Sequence, residues 1–185
     1  MLSPEQRKTL LRIARESIAA VLGGHRPAWT ADDFDEDLRR PSGAFVTLTE
    51  GGELRGCIGS IVPTAPLFQA VSQSAINAAF RDPRFYPVQQ GELDRLHVEI
   101  SVMGPITVVE DLETIVPGRD GLIVSKGGRA GLLLPQVATE YGWNRETFLA
   151  QTCVKAGLPP TAWRVPGTRI ERFSAEVFGE ETSEK

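Results

Sequence analysis

One order of signals occurs twice along this chain. A short strand-forming run is followed by a Gly-Gly pair, a second such run, a proline, and a segment with apolar residues at helical spacing. The first copy covers residues 43–80 and the second 121–156. Gly-Gly between two β-favouring runs makes a two-residue hairpin turn, because its central positions need positive φ. Two hairpins, each followed by a helix, in a chain of 185 residues predict an α+β protein. The expected architecture is two unequal subdomains, each an antiparallel sheet with helices. The repetition is the pattern an internal duplication leaves.

The remaining segments fit around these hairpins. Ser3-Pro4-Glu5-Gln6 reads as a helix start, with Ser3 as cap, Pro4 at the first helical position and Gln6 completing a capping box. Leu10, Ile13, Ala14, Ile18, Val21 and Leu22 form one apolar stripe, and Gly23-Gly24 ends it. The acidic stretch that follows is predicted as a surface loop anchored by Trp29 and Phe34. Residues 96–103 and 169–178 alternate as strands. The predicted return strand of the first hairpin places Cys57 opposite Val46 and Arg55 opposite Leu48.

That return strand carries the most chemistry, in Leu54-Arg55-Gly56-Cys57-Ile58-Gly59. Residues two apart on a strand face the same way, so Arg55 and Cys57 are expected side by side, about 7 Å apart. A guanidinium near a thiol favours the thiolate. Gly56 and Gly59 leave room for another group to approach the backbone. Cys57 is therefore the candidate nucleophile and Arg55 the candidate stabiliser of a thiolate or of an anionic substrate. The competing reading makes Cys57 a small core residue. A reactive cysteine usually has a base beside it, and only His25 and His97 are present. Arg81-Asp82-Pro83-Arg84-Phe85 is a turn in which Asp82, with Arg81 and Arg84, either pairs internally or binds an anion. Cys153 lies on an apolar helical stripe and reads as core. Lys155 lies off that stripe, as a solvated residue or part of a cleft lining.

Other signals are missing. No phosphate loop, no dinucleotide-binding glycine pattern and no closely spaced Cys/His cluster occurs, so no metal or cofactor is predicted. A formal net charge of −4 argues against a broad nucleic-acid surface, leaving only a local basic patch of Arg55, Arg81, Arg84 and Lys155. No apolar run reaches the ~20 residues of a membrane span. The chain starts on an amphipathic helix rather than a signal peptide, which predicts a cytoplasmic protein with free thiols.

Several segments together resemble the AMMECR domain family, whose bacterial form is component A of the AmmeMemoRadiSam system. They are Gly43-Ala44-Phe45-Val46-Thr47-Leu48, the hexapeptide Leu54-Arg55-Gly56-Cys57-Ile58-Gly59, Asp82-Pro83-Arg84-Phe85, Glu99-Ile100-Ser101-Val102 and Leu133-Leu134-Pro135-Gln136-Val137-Ala138. Phe148-Leu149, Cys153, Lys155-Ala156-Gly157-Leu158 and Trp163 continue the match over nearly the whole chain. Asp120-Gly121-Leu122 departs from the His-Gly-Leu of many members.

The resemblance implies a single AMMECR-type domain over residues 1–185. Its larger subdomain would be built from both chain ends and its smaller one from the middle, with the hexapeptide near the cleft between them. It also implies association with a Memo-like protein and a radical S-adenosylmethionine protein, but supplies no reaction. Three functional readings follow. One is an enzyme using the Cys57 thiol beside Arg55. The second is a module binding a small-molecule or peptide ligand through Arg55, Gly56, Gly59, Asp82, Arg84 and Lys155. The third is an accessory factor in RNA modification or a radical-SAM pathway.

Overall fold

The computed structural model of the chain describes residues 1–181. These residues divide into two units, Met1–Met103 with residues 176–181, and Gly104–Ala175. Each unit joins antiparallel strands to helices, so the protein is α+β.

The first unit begins with helix α1 (Pro4–Leu22). The capping box forms as expected, with the Ser3 hydroxyl accepting from the Gln6 N–H and the Gln6 side chain from the Ser3 N–H. A single turn, α2 (Glu36–Arg39), precedes strands β1 (Ala44–Glu50) and β2 (Glu53–Ser60), helix α3 (Leu67–Phe80) and strand β3 (Leu96–Met103). The strands pair in the order β2-β1-β3, leaving β2 at an edge. Gly51 and Gly52 both have positive φ, as the tight hairpin requires. Strand parity sends Ala44, Val46, Leu48, Val98 and Ile100 to one face, where α1 and α3 cover them in a single core. Phe34 joins that core and Trp29 packs against it.

An ion pair and its hydrogen bonds tie α1 to Glu180. Arg15 grips both Glu180 oxygens (2.7 and 2.6 Å) and donates to the carbonyls of Leu93 and Leu96. Burial works to raise the Glu180 carboxyl's pKa, but the hydrogen bonds from Arg15 and Val98 N–H hold it below its ordinary value. Arg15→Ala is expected to cost about 2 kcal/mol, less than a sealed pair because both side chains keep some solvent. An unchanged urea midpoint in the variant would show that these contacts add no net stability.

The second unit contains β4 (Thr107–Val108), β5 (Asp120–Lys126), β6 (Arg129–Leu133), α4 (Pro135–Glu140), α5 (Arg145–Lys155) and β7 (Arg169–Gly179), whose last residues belong to the first unit. β5 pairs with β6 and with β7, and β4 with β7. Leu122, Val124, Phe148, Leu149, Cys153 and Ile170 form its core, so Cys153 packs as expected and burial pushes its thiol up. Both cysteines are free. Among the described residues no helix is long and apolar enough to cross a membrane.

Candidate functional site

The structure corrects the expected hairpin register. Cys57 stands opposite Thr47 rather than Val46, and Leu48 stands opposite Gly56 rather than Arg55. The reason is a β-bulge. Pairing runs from Leu48–Gly56 to Thr49–Leu54, which leaves Arg55 as the extra residue. A one-residue slip exchanges the faces of a strand. Val46 and Leu48 therefore lie wholly within the core, and the Cys57 side chain shares the opposite face with Thr47 and, through β3, Glu99. Thr47 Oγ1 donates to Cys57 Sγ at 3.2 Å.

Arg55 is committed elsewhere. Its Nε and Nη2 reach Glu92 Oε1 and Oε2 at 2.8 and 3.2 Å, a two-pronged pair less than a fifth exposed on either side. The Arg55 hydrogen bonds, helped by the Gln89 N–H, hold the Glu92 carboxyl below its usual range against the effect of burial. Arg55 Nη1 is buried without a partner among the described residues.

The charged turn after α3 grips the edge of β2. Asp82 Oδ2 accepts the Cys57 N–H at 3.0 Å, and Arg84 forks onto both Asp82 oxygens at 3.0 and 2.7 Å. Arg84 Nη2 also lies 3.5 Å from the Cys57 carbonyl oxygen. The Arg84 guanidinium, with the Cys57 and Arg84 N–H groups, holds the buried Asp82 carboxyl far below the ordinary carboxylate range. A free edge invites unwanted strand pairing, and at Cys57 that edge is closed by Asp82 and Arg84.

The two glycines of the hexapeptide have separate causes. Gly56 is buried beneath the end of α3, where an added Cβ would stand 2.1 Å from the Ala78 carbonyl oxygen. Gly59 lies against β1, its Cβ position 2.4 Å from the Phe45 ring and 2.3 Å from the Ala44 carbonyl oxygen.

Next to this strip the first unit holds an open groove of about 900 Å³. One side is an α3 stripe of Gln69, Gln73, Asn77 and Phe80, and the other includes Gly59 and Ser60 at the end of β2. Trp29 closes part of it. The charged residues of the lining are Arg26 and Arg81. Both are exposed, and neither side chain has an ion-pair or hydrogen-bond partner among the described residues.

Of the residues expected from sequence, Arg55, Gly56, Cys57, Gly59, Asp82 and Arg84 thus meet around β2. Lys155 lies in the second unit, exposed in the last turn of α5. Asp120 is also in that unit. Burial would raise its carboxyl's pKa, but Arg119 and the Val116 N–H outweigh it and keep it ionised. Thr47, Glu92 and the groove arginine Arg26 escaped the sequence reading. Only Glu92 had a local signal, its spacing from Gln89 as in a capping box. Among the described residues no group of three or more His, Cys, Asp or Glu is placed to hold a metal.

Comparison with known proteins places this geometry. The AMMECR1 family model matches residues 11–178. The chain belongs to the AMMECR1 family. A protein of Methanothermobacter thermautotrophicus is 47% identical over 186 residues, covering 97% of each chain. One of Methanocaldococcus jannaschii is 43% identical over 188 residues, covering 97% of this chain and 92% of the relative. The crystal structure of an uncharacterised protein from Pyrococcus horikoshii superposes with a TM-score of 0.84 at 44% identity, covering 94% of this chain and 90% of that one.

Proposed function

We propose that this AMMECR1-family chain is a binding module whose groove in the first unit takes an anionic ligand. The observation behind this reading is the distribution of charge. Arg55 and Arg84 are neutralised by Glu92 and Asp82. Arg26 and Arg81, in contrast, line a groove with no carboxylate in its lining, and their side chains have no ion-pair or hydrogen-bond partner among the described residues. Unpaired guanidiniums suit carboxylate or phosphate, because each offers a planar fork of donors. Cys57 belongs to the scaffold in this reading. Its sulfur hydrogen-bonds a threonine hydroxyl, and no histidine takes part.

Trp29 makes the proposal measurable, since it lines the groove. Titration with citrate, inorganic phosphate and poly-glutamate is expected to change Trp29 fluorescence saturably for at least one of them. Arg26→Ala with Arg81→Ala should weaken that binding at least tenfold, and Cys57→Ser should leave it intact. Equal loss from Cys57→Ser would favour the thiol as the working group.

A further inference from the structure

We infer that the groove's ligand is an extended acidic peptide from a partner protein, which pairs as an added strand on the free edge of β2. This rests on the anion-binding reading above and names its ligand class. Cys57 directs its N–H away from β1, to Asp82. In an antiparallel ladder such outward residues recur every second position. The register from Cys57 to Gly59 is unbroken, so Gly59 also turns its N–H and C=O outward. At Cys57 those groups are covered by Asp82 and Arg84. At Gly59 no partner among the described residues takes them, and the residue lines the groove. The same strand edge is therefore closed at one outward position and open at the next.

The groove supplies the rest of a strand-binding site. Added strands gain affinity from main-chain hydrogen bonds and specificity from pockets for alternate side chains. Ile58, Ile76 and Phe80 line the groove with partly exposed apolar surface. Arg26 and Arg81 are its charged groups. A peptide alternating acidic and apolar residues complements both. Lysine-rich segments would meet two like charges.

The test uses the full chain and an acetylated Glu-Val-Glu-Val-Glu-Val amide probe. Saturable binding is expected, at least tenfold tighter than for the lysine counterpart. Arg26→Glu and Arg81→Glu should each weaken it about tenfold. N-methylation of alternate amides should abolish binding in one register and spare it in the other. The Gly59 amide should exchange with solvent at least tenfold more slowly in the complex. Binding insensitive to both N-methylation patterns, or binding that leaves Gly59 exchange unchanged, would overturn strand pairing while leaving the anion-binding reading in place. Citrate or phosphate binding without any peptide binding at millimolar concentration would overturn the peptide as ligand. Failure of every anion would remove both.

Discussion

Gly56→Ala is expected to destabilise the protein by about 3 kcal/mol, lowering the melting temperature by roughly 6–12 °C. The added methyl would stand 2.1 Å from the Ala78 carbonyl oxygen and 3.0 Å from its carbonyl carbon. Those atoms are backbone at the end of a helix, so no rotamer change relieves the overlap. The neighbouring helix positions are already small, since Ala75, Ala78 and Ala79 are the buried residues there. α3 can recede only by loosening its packing on β1 and β2. The clash is with main chain, so Ala78→Gly should fail to rescue the variant. Thermal unfolding of the two single variants and the double variant checks this. A Gly56→Ala protein as stable as wild type would mean that the helix end moves freely. The second unit uses the same close approach, with Gly131 in β6 facing the backbone of Lys155 and Ala156.

Asp82→Asn should cost about 3 kcal/mol at neutral pH, because it removes a charge-assisted fork and weakens the acceptor for the Cys57 N–H. The Asp82 side chain is 1% exposed and that of Arg84 54%, so Arg84 regains water while the buried end of the network does not. The loss depends on pH with a definite sign. The folded carboxyl titrates far below its unfolded value, which is about 3.9. Its contribution is complete above that unfolded value and declines as pH falls below it toward the folded value. The gap in stability between wild type and Asp82→Asn should therefore narrow from pH 5 to pH 2. A gap constant over that range would assign Asp82 a packing role only. Faster amide exchange at Cys57 in the variant is the local readout of the same bond.

These residues also mark where local reasoning stops. The first helix start, both Gly-Gly turns and the placement of Cys153 in a core were legible because each depends on neighbours within a few positions. Capping needs Ser3 and Gln6, the turn needs positive φ at Gly51 and Gly52, and a helical stripe repeats every three or four residues. The hexapeptide stood out for its composition, but its register did not follow from parity. A single bulged residue at Arg55 exchanges the faces on either side of it.

The sequence by itself determined an α+β chain of two hairpin-and-helix segments and marked β2 as the strand that carries most of its candidate residues. The periodicity and glycine conformations behind that are properties of short stretches. Only the tertiary structure decided what each charge does. Arg55 meets Glu92 across 37 residues and Cys57 meets Asp82 across 25, separations over which no local pattern operates. That pairing engages Arg55, the candidate thiolate or anion stabiliser of the sequence, with a carboxylate of its own chain. It leaves Arg26, unremarkable in the sequence, and Arg81 as the charges of the groove without an ion-pair partner among the described residues, because pairing is set by which side chains folding brings within reach.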